Sequence, residues 1–144
     1  MESEKFILRQ PVGRIMSKLG KISLEKAQEQ LTHLDINRSF YPLMLIDSHR
    51  GMTQQELADM LLVDKVQVVR IIDYLSKNGY VKRILNPDDR RKYQLSVTEK
   101  AEHVMPQIKA VIHEVMKETF QGFTPQQVNS LYDMLYKMEI NLKG

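Results

Sequence analysis

One stretch of the chain, residues 53–100, constrains the fold more than any other. Its pattern predicts a helix, a tight turn, a second helix and then a β-hairpin. Thr53 with Glu56 three residues later matches a capping box, so we expect the first helix to begin there. Asp64 can cap the second helix, and Gly79 stands where a helix ends in a left-handed residue. The stretch therefore predicts a helix-turn-helix followed by a hairpin.

The second predicted helix, Lys65 to Asn78, has apolar residues on two sides. Helical periodicity predicts one core-facing stripe, which consists of Val68, Ile71, Ile72 and Leu75. Val66 and Arg70 lie nearly opposite that stripe, with Gln67 and Val69 on its flanks. In the major groove of DNA, Val66 can contact a thymine methyl while Arg70 and Gln67 reach base edges or phosphates. The alternative is that Val66 packs against a neighbouring loop.

The hairpin carries the excess positive charge of the chain. Two runs rich in β-forming residues, 80–85 and 91–97, are joined by turn residues at 86–89. Residues 80–94 include five basic and two acidic side chains, a net charge of +3 that equals that of the whole chain. Such charge on a protruding ribbon is typical of phosphate binding, although a charged run can also be only a solvated face. Directly after a two-sided helix, it favours binding to double-stranded DNA.

These residues resemble the winged helix-turn-helix of the multiple antibiotic resistance regulator (MarR) family of bacterial transcription factors. The supporting helix matches in TQQELADML, and the recognition helix with the first wing strand matches in VDKVQVVRIIDYLSKNGYVKR. The wing and the next helix match in NPDDRRKYQLSVTEKAE, where Asp89 and Arg91 fit the family pattern of Asp, any residue, Arg. The chain departs from the family at Val66 and Val69, which usually are small hydroxyl residues, and at VTEKA, which usually reads Leu-Thr-Glu-Lys-Gly.

The resemblance implies a mainly α fold with a small β-hairpin, built as a winged helix-turn-helix lobe plus a helical dimerisation lobe from both termini. Residues 37–100 would form the DNA-binding lobe, residues 1–34 and 119–144 the dimerisation helices, and residues 98–118 a long connecting helix. The implied function is that of a cytoplasmic, sequence-specific transcriptional regulator that needs no cofactor. The DNA-binding residues that we predict are Lys65, Val66, Gln67, Val69, Arg70, Arg83, Asp89, Arg90, Arg91 and Lys92.

Apolar residues close to both chain ends bear on assembly. They are Phe6, Ile7 and Leu8 at one end and Tyr136, Met138, Ile140 and Leu142 at the other. They could dock on the core of their own chain, or they could interlock with a second copy. The resemblance implies the homodimer, which would set two recognition helices about 34 Å apart on a pseudo-palindromic site.

The resemblance also implies a small aromatic or anionic effector that binds between the two lobes and releases the DNA. Arg14, Phe40 and Met44 are the candidate ligand residues, since they offer a charge and apolar walls. Each could equally be a structural residue.

Other classes of function have less support. The chain has no cysteine, no Gly-rich phosphate loop and no His-Glu-x-x-His motif, so we expect no enzyme. Glu99 and His103 lie one helical turn apart, but such a pair is more often a surface hydrogen bond than a metal site. No run approaches the roughly 18 apolar residues of a membrane span, and the first residues lack a secretory signal. The alternative is a winged-helix protein-protein interaction module without specific DNA binding, whose basic wing meets an acidic partner.

Overall fold

The computed structural model describes residues 9–89 and 91–144, and these residues form six helices and a two-stranded antiparallel sheet. The elements in chain order are α1 (Val12–Glu29), α2 (Phe40–Ser48), α3 (Gln54–Leu61), α4 (Lys65–Lys77), β1 (Val81–Leu85), β2 (Tyr93–Val97), α5 (Glu99–Thr119) and α6 (Pro125–Lys143). The predicted mainly α fold with a small hairpin is confirmed. Phe6, Ile7 and Leu8 lie outside the described residues, as does Arg90 of the wing.

The chain divides into two compact units, one ending at Ile112 and the other spanning His113–Gly144. The first unit contains α1 to α4, both strands and most of α5. The second contains the end of α5 and all of α6. None of the helices in the described ranges is long and apolar enough to cross a membrane.

The core of the first unit forms where α2, α3 and α4 pack on one another and on the hairpin. In α4 the predicted core stripe is confirmed, because Val68, Ile72 and Leu75 are at most 1% exposed and Ile71 is half-buried. Full burial of such a side chain stabilises the fold by about 1.5–3 kcal/mol relative to exposure. Other side chains with at most 1% exposure in this unit are Ile36, Leu43, Ile46, Leu57, Tyr80, Leu95, Ala101 and Ile108.

Side-chain caps fix where the helices begin. Oγ1 of Thr53 accepts a hydrogen bond from the backbone N of Glu56 at 3.1 Å, so α3 begins as predicted, although only this half of a capping box forms. The complete box lies at α4, where Asp64 and Gln67 each accept a hydrogen bond from the backbone of the other. A second complete box, between Thr124 and Gln127, begins α6.

Left-handed residues end both helices of the helix-turn-helix. Gly79 has a φ of +80° after α4, as predicted. After α3 the left-handed residue is Leu62, with φ 55° and ψ 43°. A side chain in this region costs about 1–2 kcal/mol, so the tight turn to Asp64 is strained at Leu62.

Candidate nucleic-acid interface

Backbone hydrogen bonds fasten the hairpin to the helix-turn-helix. The strands pair in register from Val81 opposite Val97 to Leu85 opposite Tyr93. The backbone N of Leu95 in β2 donates to the carbonyl oxygen of Met52, just before α3, at 2.8 Å. Because β2 is bonded on both sides, the wing is held against the supporting helix.

Side chains at the base of the hairpin fix its angle to α4. Oγ1 of Thr98 donates to the carbonyl of Gly79 at 2.6 Å, and Nζ of Lys100 donates to that of Asn78 at 2.7 Å. The same ammonium lies 4.5 Å from the ring centre of Tyr80, a cation-π contact. Burial raises the pKa of the Tyr80 phenol above its ordinary value of 10.0. The C-terminus of α4 and the start of β1 are therefore one rigid junction.

The tip of the wing is shaped by two acceptor side chains. Oδ1 of Asn86 accepts from the backbone N of Asp88 at 2.9 Å, and Oδ1 of Asp89 accepts from the backbone N of Arg91 at 3.0 Å. The guanidinium of Arg91 lies 4.0 Å from the same carboxylate, and its side chain is 96% exposed. Asp89 therefore builds the turn, while the side chain of Arg91 projects into solvent. A role for Asp89 in contacting or orienting DNA ligands stays a prediction.

Arg83 is half-buried and is held by side chains of two helices. Its Nη2 lies 2.7 Å from Oδ1 of Asp73 in α4, and both Nη2 and Nε lie 3.4 Å from Oε1 of Gln54 in α3. Asp73 follows Val66 by seven residues and so shares its helical stripe. Arg83 thus neutralises a carboxylate on the exposed side of α4 and ties the wing to both helices. Its predicted contact with DNA stays a prediction.

The side of α4 opposite the core stripe is open. Val66 is 61% exposed, so it does not pack against a loop of the described chain. Lys65, Gln67 and Arg70 are also exposed, and Val69 is half-buried. This face presents two cationic side chains, an amide and two valines from the first turns of one helix, an arrangement that fits a major groove.

A cleft of about 490 Å³ lies between the start of α3, the start of α4 and the wing. Its charged lining consists of three cations and one carboxylate, namely Lys65, Arg91, Lys92 and Glu56. Gln54 and Gln55, the first two residues of α3, also line the cleft, so the cleft lies at the positive end of the helix dipole. Cations beside the N-terminus of a helix provide the chemistry that binds phosphate oxygens.

Sequence reasoning missed Tyr93 and the start of α3 as part of this cleft. Tyr93 is 48% exposed and stands opposite Leu85 in the ladder. It carries no charge and so was not marked by the charge pattern. The sequence did contain a signal for Tyr93. Side chains two residues apart in a strand lie on the same face, so Tyr93 lies with buried Leu95 on the face of the hairpin that meets the helices.

The three candidate ligand residues lie outside the cleft. Phe40 is 3% exposed and belongs to the core, Met44 is half-buried, and Arg14 is exposed on α1. A ligand can therefore reach Phe40 only if the core around it opens. Whether the three form a pocket stays a prediction.

Comparisons with known proteins agree with this geometry. A sequence model of the MarR family matches residues 37–93, from just before α2 to the first residue of β2. A MarR transcriptional regulator from Methanosarcina mazei Go1 is 28% identical, with 92% of this chain and 96% of that chain covered and a TM-score of 0.82. A mutant MarR from E. coli complexed with operator DNA is 27% identical, with 89% and 93% covered and a TM-score of 0.80. A putative MarR family regulator from Listeria monocytogenes, complexed with a 26mer DNA, has a TM-score of 0.87 over 93% of this chain and 90% of that chain; at 24% identity it supports the fold alone.

A helix-turn-helix fastened to a basic β-hairpin defines the class of winged-helix, DNA-binding proteins. Within that class, residues 37–93 match the MarR family model, and the fold is similar to that of solved MarR-family regulators. The match and the fold support a DNA-binding transcriptional regulator, and the matched family consists of regulators rather than enzymes.

Proposed function

We propose that the chain binds a pseudo-palindromic operator as a homodimer and that a small ligand modulates this binding. The observation that carries the proposal is the open face of α4 beside a cleft with three cations, Lys65, Arg91 and Lys92. Under this proposal, residues 37–100 act as the DNA-binding lobe. Residues 1–34 and 119–144 act as the dimerisation helices, and residues 98–118 connect them.

The recognition helix would read bases while the wing contacts the backbone. Lys65, Val66, Gln67, Val69 and Arg70 come from the first two turns of α4 and would enter the major groove. Two exposed wing residues, Arg91 and Lys92, would reach phosphates or a narrow minor groove. We propose the same role for Arg90, which lies outside the described residues. Because the wing is bonded to both α3 and α4, a contact at its tip would fix the position of the helix in the groove.

Unpaired apolar faces support the homodimer. Every residue from 12 to 22 of α1 is exposed, including Val12 at 53% and Leu19 at 58%. The whole of α6 has no buried residue, and Tyr136, Ile140 and Leu142 are 62%, 69% and 89% exposed. Apolar patches of this kind mark interaction surfaces. A second copy related by a two-fold axis would cover them and place two recognition helices about one DNA turn apart.

A small aromatic or anionic effector completes the proposal. Arg14 is exposed on α1, whose apolar face would be covered in the dimer, and Met44 is half-buried on α2. A carboxylate on an aromatic ring would pair with the guanidinium of Arg14 while the ring contacts the thioether of Met44.

The test of this function is the salt dependence of binding to the tightest duplex that the purified chain selects from a randomised pool. Neutralising a phosphate releases counterions, and each contact contributes about −0.9 to the slope of log affinity against log salt. Three cleft cations in each of two protomers predict a slope on the order of −5. A protein-interaction module would select no duplex, and its interface with an apolar centre would respond weakly to salt. A flat dependence would contradict the proposal and favour that module.

Val66 provides a test of base contact within the groove. We expect thymines opposite Val66, and replacing one by uracil removes only the methyl group. Each replacement should lower the binding free energy by up to about 0.8 kcal/mol, the value for one buried methylene group. In Val66→Gly the same replacement should have no effect, because no side chain is left to contact the thymine methyl. Equal affinities of the unchanged protein for thymine and uracil sites, measured by competition titration, would remove Val66 from the base-reading residues.

A further inference from the structure

The capping box at the start of α4 fixes which atoms of Gln67 remain free. Oε1 of Gln67 accepts a hydrogen bond from the backbone N of Asp64 at 3.3 Å, while the backbone N of Gln67 donates to Oδ1 of Asp64 at 2.8 Å. A backbone N–H can only donate, so the oxygen of the amide, not its nitrogen, must face it. Within the described chain, Nε2 of Gln67 donates to no residue, and the side chain is exposed. The two N–H groups of the amide are therefore what Gln67 offers to a ligand.

We propose that Gln67 reads DNA as a hydrogen-bond donor only. An unrestrained glutamine recognises adenine with both heteroatoms, since Oε1 accepts from N6 and Nε2 donates to N7. With Oε1 turned toward the backbone of its own helix, that two-point pair cannot form unless the box opens. The inference rests on the proposed entry of α4 into the major groove.

Both carboxylates near this face have one oxygen engaged within the chain. Oδ1 of Asp64 accepts from the backbone N of Gln67, and Oδ1 of Asp73 pairs with the guanidinium of Arg83. The remaining side chains of the face are Lys65 and Arg70, which only donate, and Val66 and Val69, which are apolar. A face of donors and methyl groups selects bases that present acceptors or methyls in the major groove.

The chemical consequence is a defined base preference. Acceptors in the major groove are N7 of either purine, O6 of guanine and O4 of thymine, whereas cytosine presents the N4 amino donor. The Gln67 amide could therefore donate to guanine, adenine or thymine at the base that it contacts, and it would discriminate against cytosine there. The N6 amino group of adenine would add nothing to the contact.

The chain contains a matched control for changing Gln67. Gln127 occupies the same position in the box of α6, where its Oε1 accepts from the backbone N of Thr124 at 2.9 Å. Gln67→Glu and Gln127→Glu each keep an acceptor oxygen for the box and each replace the amide donor by a carboxylate oxygen. Both variants should stay folded, as shown by unchanged circular dichroism and melting. Only Gln67→Glu should change base readout.

The experiment starts from the tightest duplex selected from a randomised pool and changes single atoms of its bases. Each purine is replaced by its 7-deaza analogue, each adenine by purine without the amino group, and each thymine by an analogue without O4. For the unchanged protein, loss of N7 or O4 at one base pair of each half-site should weaken binding by about threefold to tenfold. Loss of the adenine amino group should leave affinity within about twofold. In Gln67→Glu, removing N7 or O4 at that base pair should no longer weaken binding. In Gln127→Glu, it should weaken binding as much as in the unchanged protein.

Two results would overturn the inference while DNA binding stands. In the first, removing the adenine amino group weakens binding of the unchanged protein as much as removing N7 does, and this effect disappears in Gln67→Glu. That result would show that Gln67 contacts adenine at both N6 and N7. The other is an N7 and O4 dependence that is the same in Gln67→Glu as in the unchanged protein. If the chain selects no duplex from the pool at all, the proposed function fails first and the inference with it.

Discussion

Ile140→Glu is expected to separate the homodimer and to lower operator affinity by at least about a hundredfold. Ile140 is 69% exposed on α6, so a carboxylate there costs the single folded chain little. In the proposed interface the same carboxylate would be buried without a partner, which costs several kcal/mol. Two linked half-sites gain about 10²–10⁴ in affinity over one, and monomers lose this gain. Analytical ultracentrifugation and titration of the selected operator measure the two effects.

The control for this change is Asn141→Glu, which adds the same charge one residue further along the helix. One residue turns the side chain by about 100°, away from the stripe of Tyr132, Tyr136 and Ile140. This variant should remain dimeric and bind the operator normally. A fully dimeric Ile140→Glu with undiminished affinity would place the interface elsewhere on the chain.

Local rules predicted the helix-turn-helix because its signals lie within a few residues of one another. The period of about 3.6 residues fixed both sides of α4, so buried Val68 and the position of Val66 nearly opposite the core stripe were predicted from spacing alone. Gly79 was predicted as the left-handed residue after α4 for the same reason, since the requirement belongs to a single residue. These features depend on backbone geometry, which neighbouring residues determine.

The partners of charged residues could not be predicted in this way. Charge counting treated Arg83 like the other cations of the hairpin, but folding brings it within 2.7 Å of Asp73, ten residues earlier. Phe40 presented the same difficulty, because an apolar residue suits a pocket wall as well as a core. Only the packing of the whole unit decides, and it leaves Phe40 3% exposed.

The capping boxes were predictable in part, because their residue pattern is local but their side-chain conformation is not. The pattern of a cap followed three residues later by Glu or Gln occurs at Thr53, Asp64 and Thr124. The sequence pattern was interpreted as a box at Thr53, yet the two complete boxes form at the other two sites, both with glutamine. Whether a long side chain folds back depends on its rotamer, and residue type alone does not determine it. Under the proposed function, that rotamer would limit the hydrogen bonds that Gln67 makes in the major groove.

Arg91→Ala is expected to weaken binding to every duplex by about a hundredfold at roughly 0.15 M salt. The side chain is 96% exposed at the cleft, and a hydrogen bond to a charged group contributes about 1.5 kcal/mol. Each homodimer would lose two such contacts, or about 3 kcal/mol, which corresponds to the hundredfold change. The slope of log affinity against log salt should become less negative by about 2, since two phosphates are no longer neutralised.

The substitution leaves the wing itself intact, which makes its effect on DNA binding interpretable. Asp89 shapes the turn through the backbone N of Arg91, and alanine retains this group. Arg91→Lys keeps the charge and should recover most of the salt slope, though not the two-point hydrogen bonding of a guanidinium. Because a phosphate contact carries no base preference, the order of preferred duplexes should be the same in all three proteins. Unchanged affinity of Arg91→Ala would show that the hairpin does not act as a DNA-binding wing, whereas a changed order would show that Arg91 enters the minor groove rather than contacting phosphate alone.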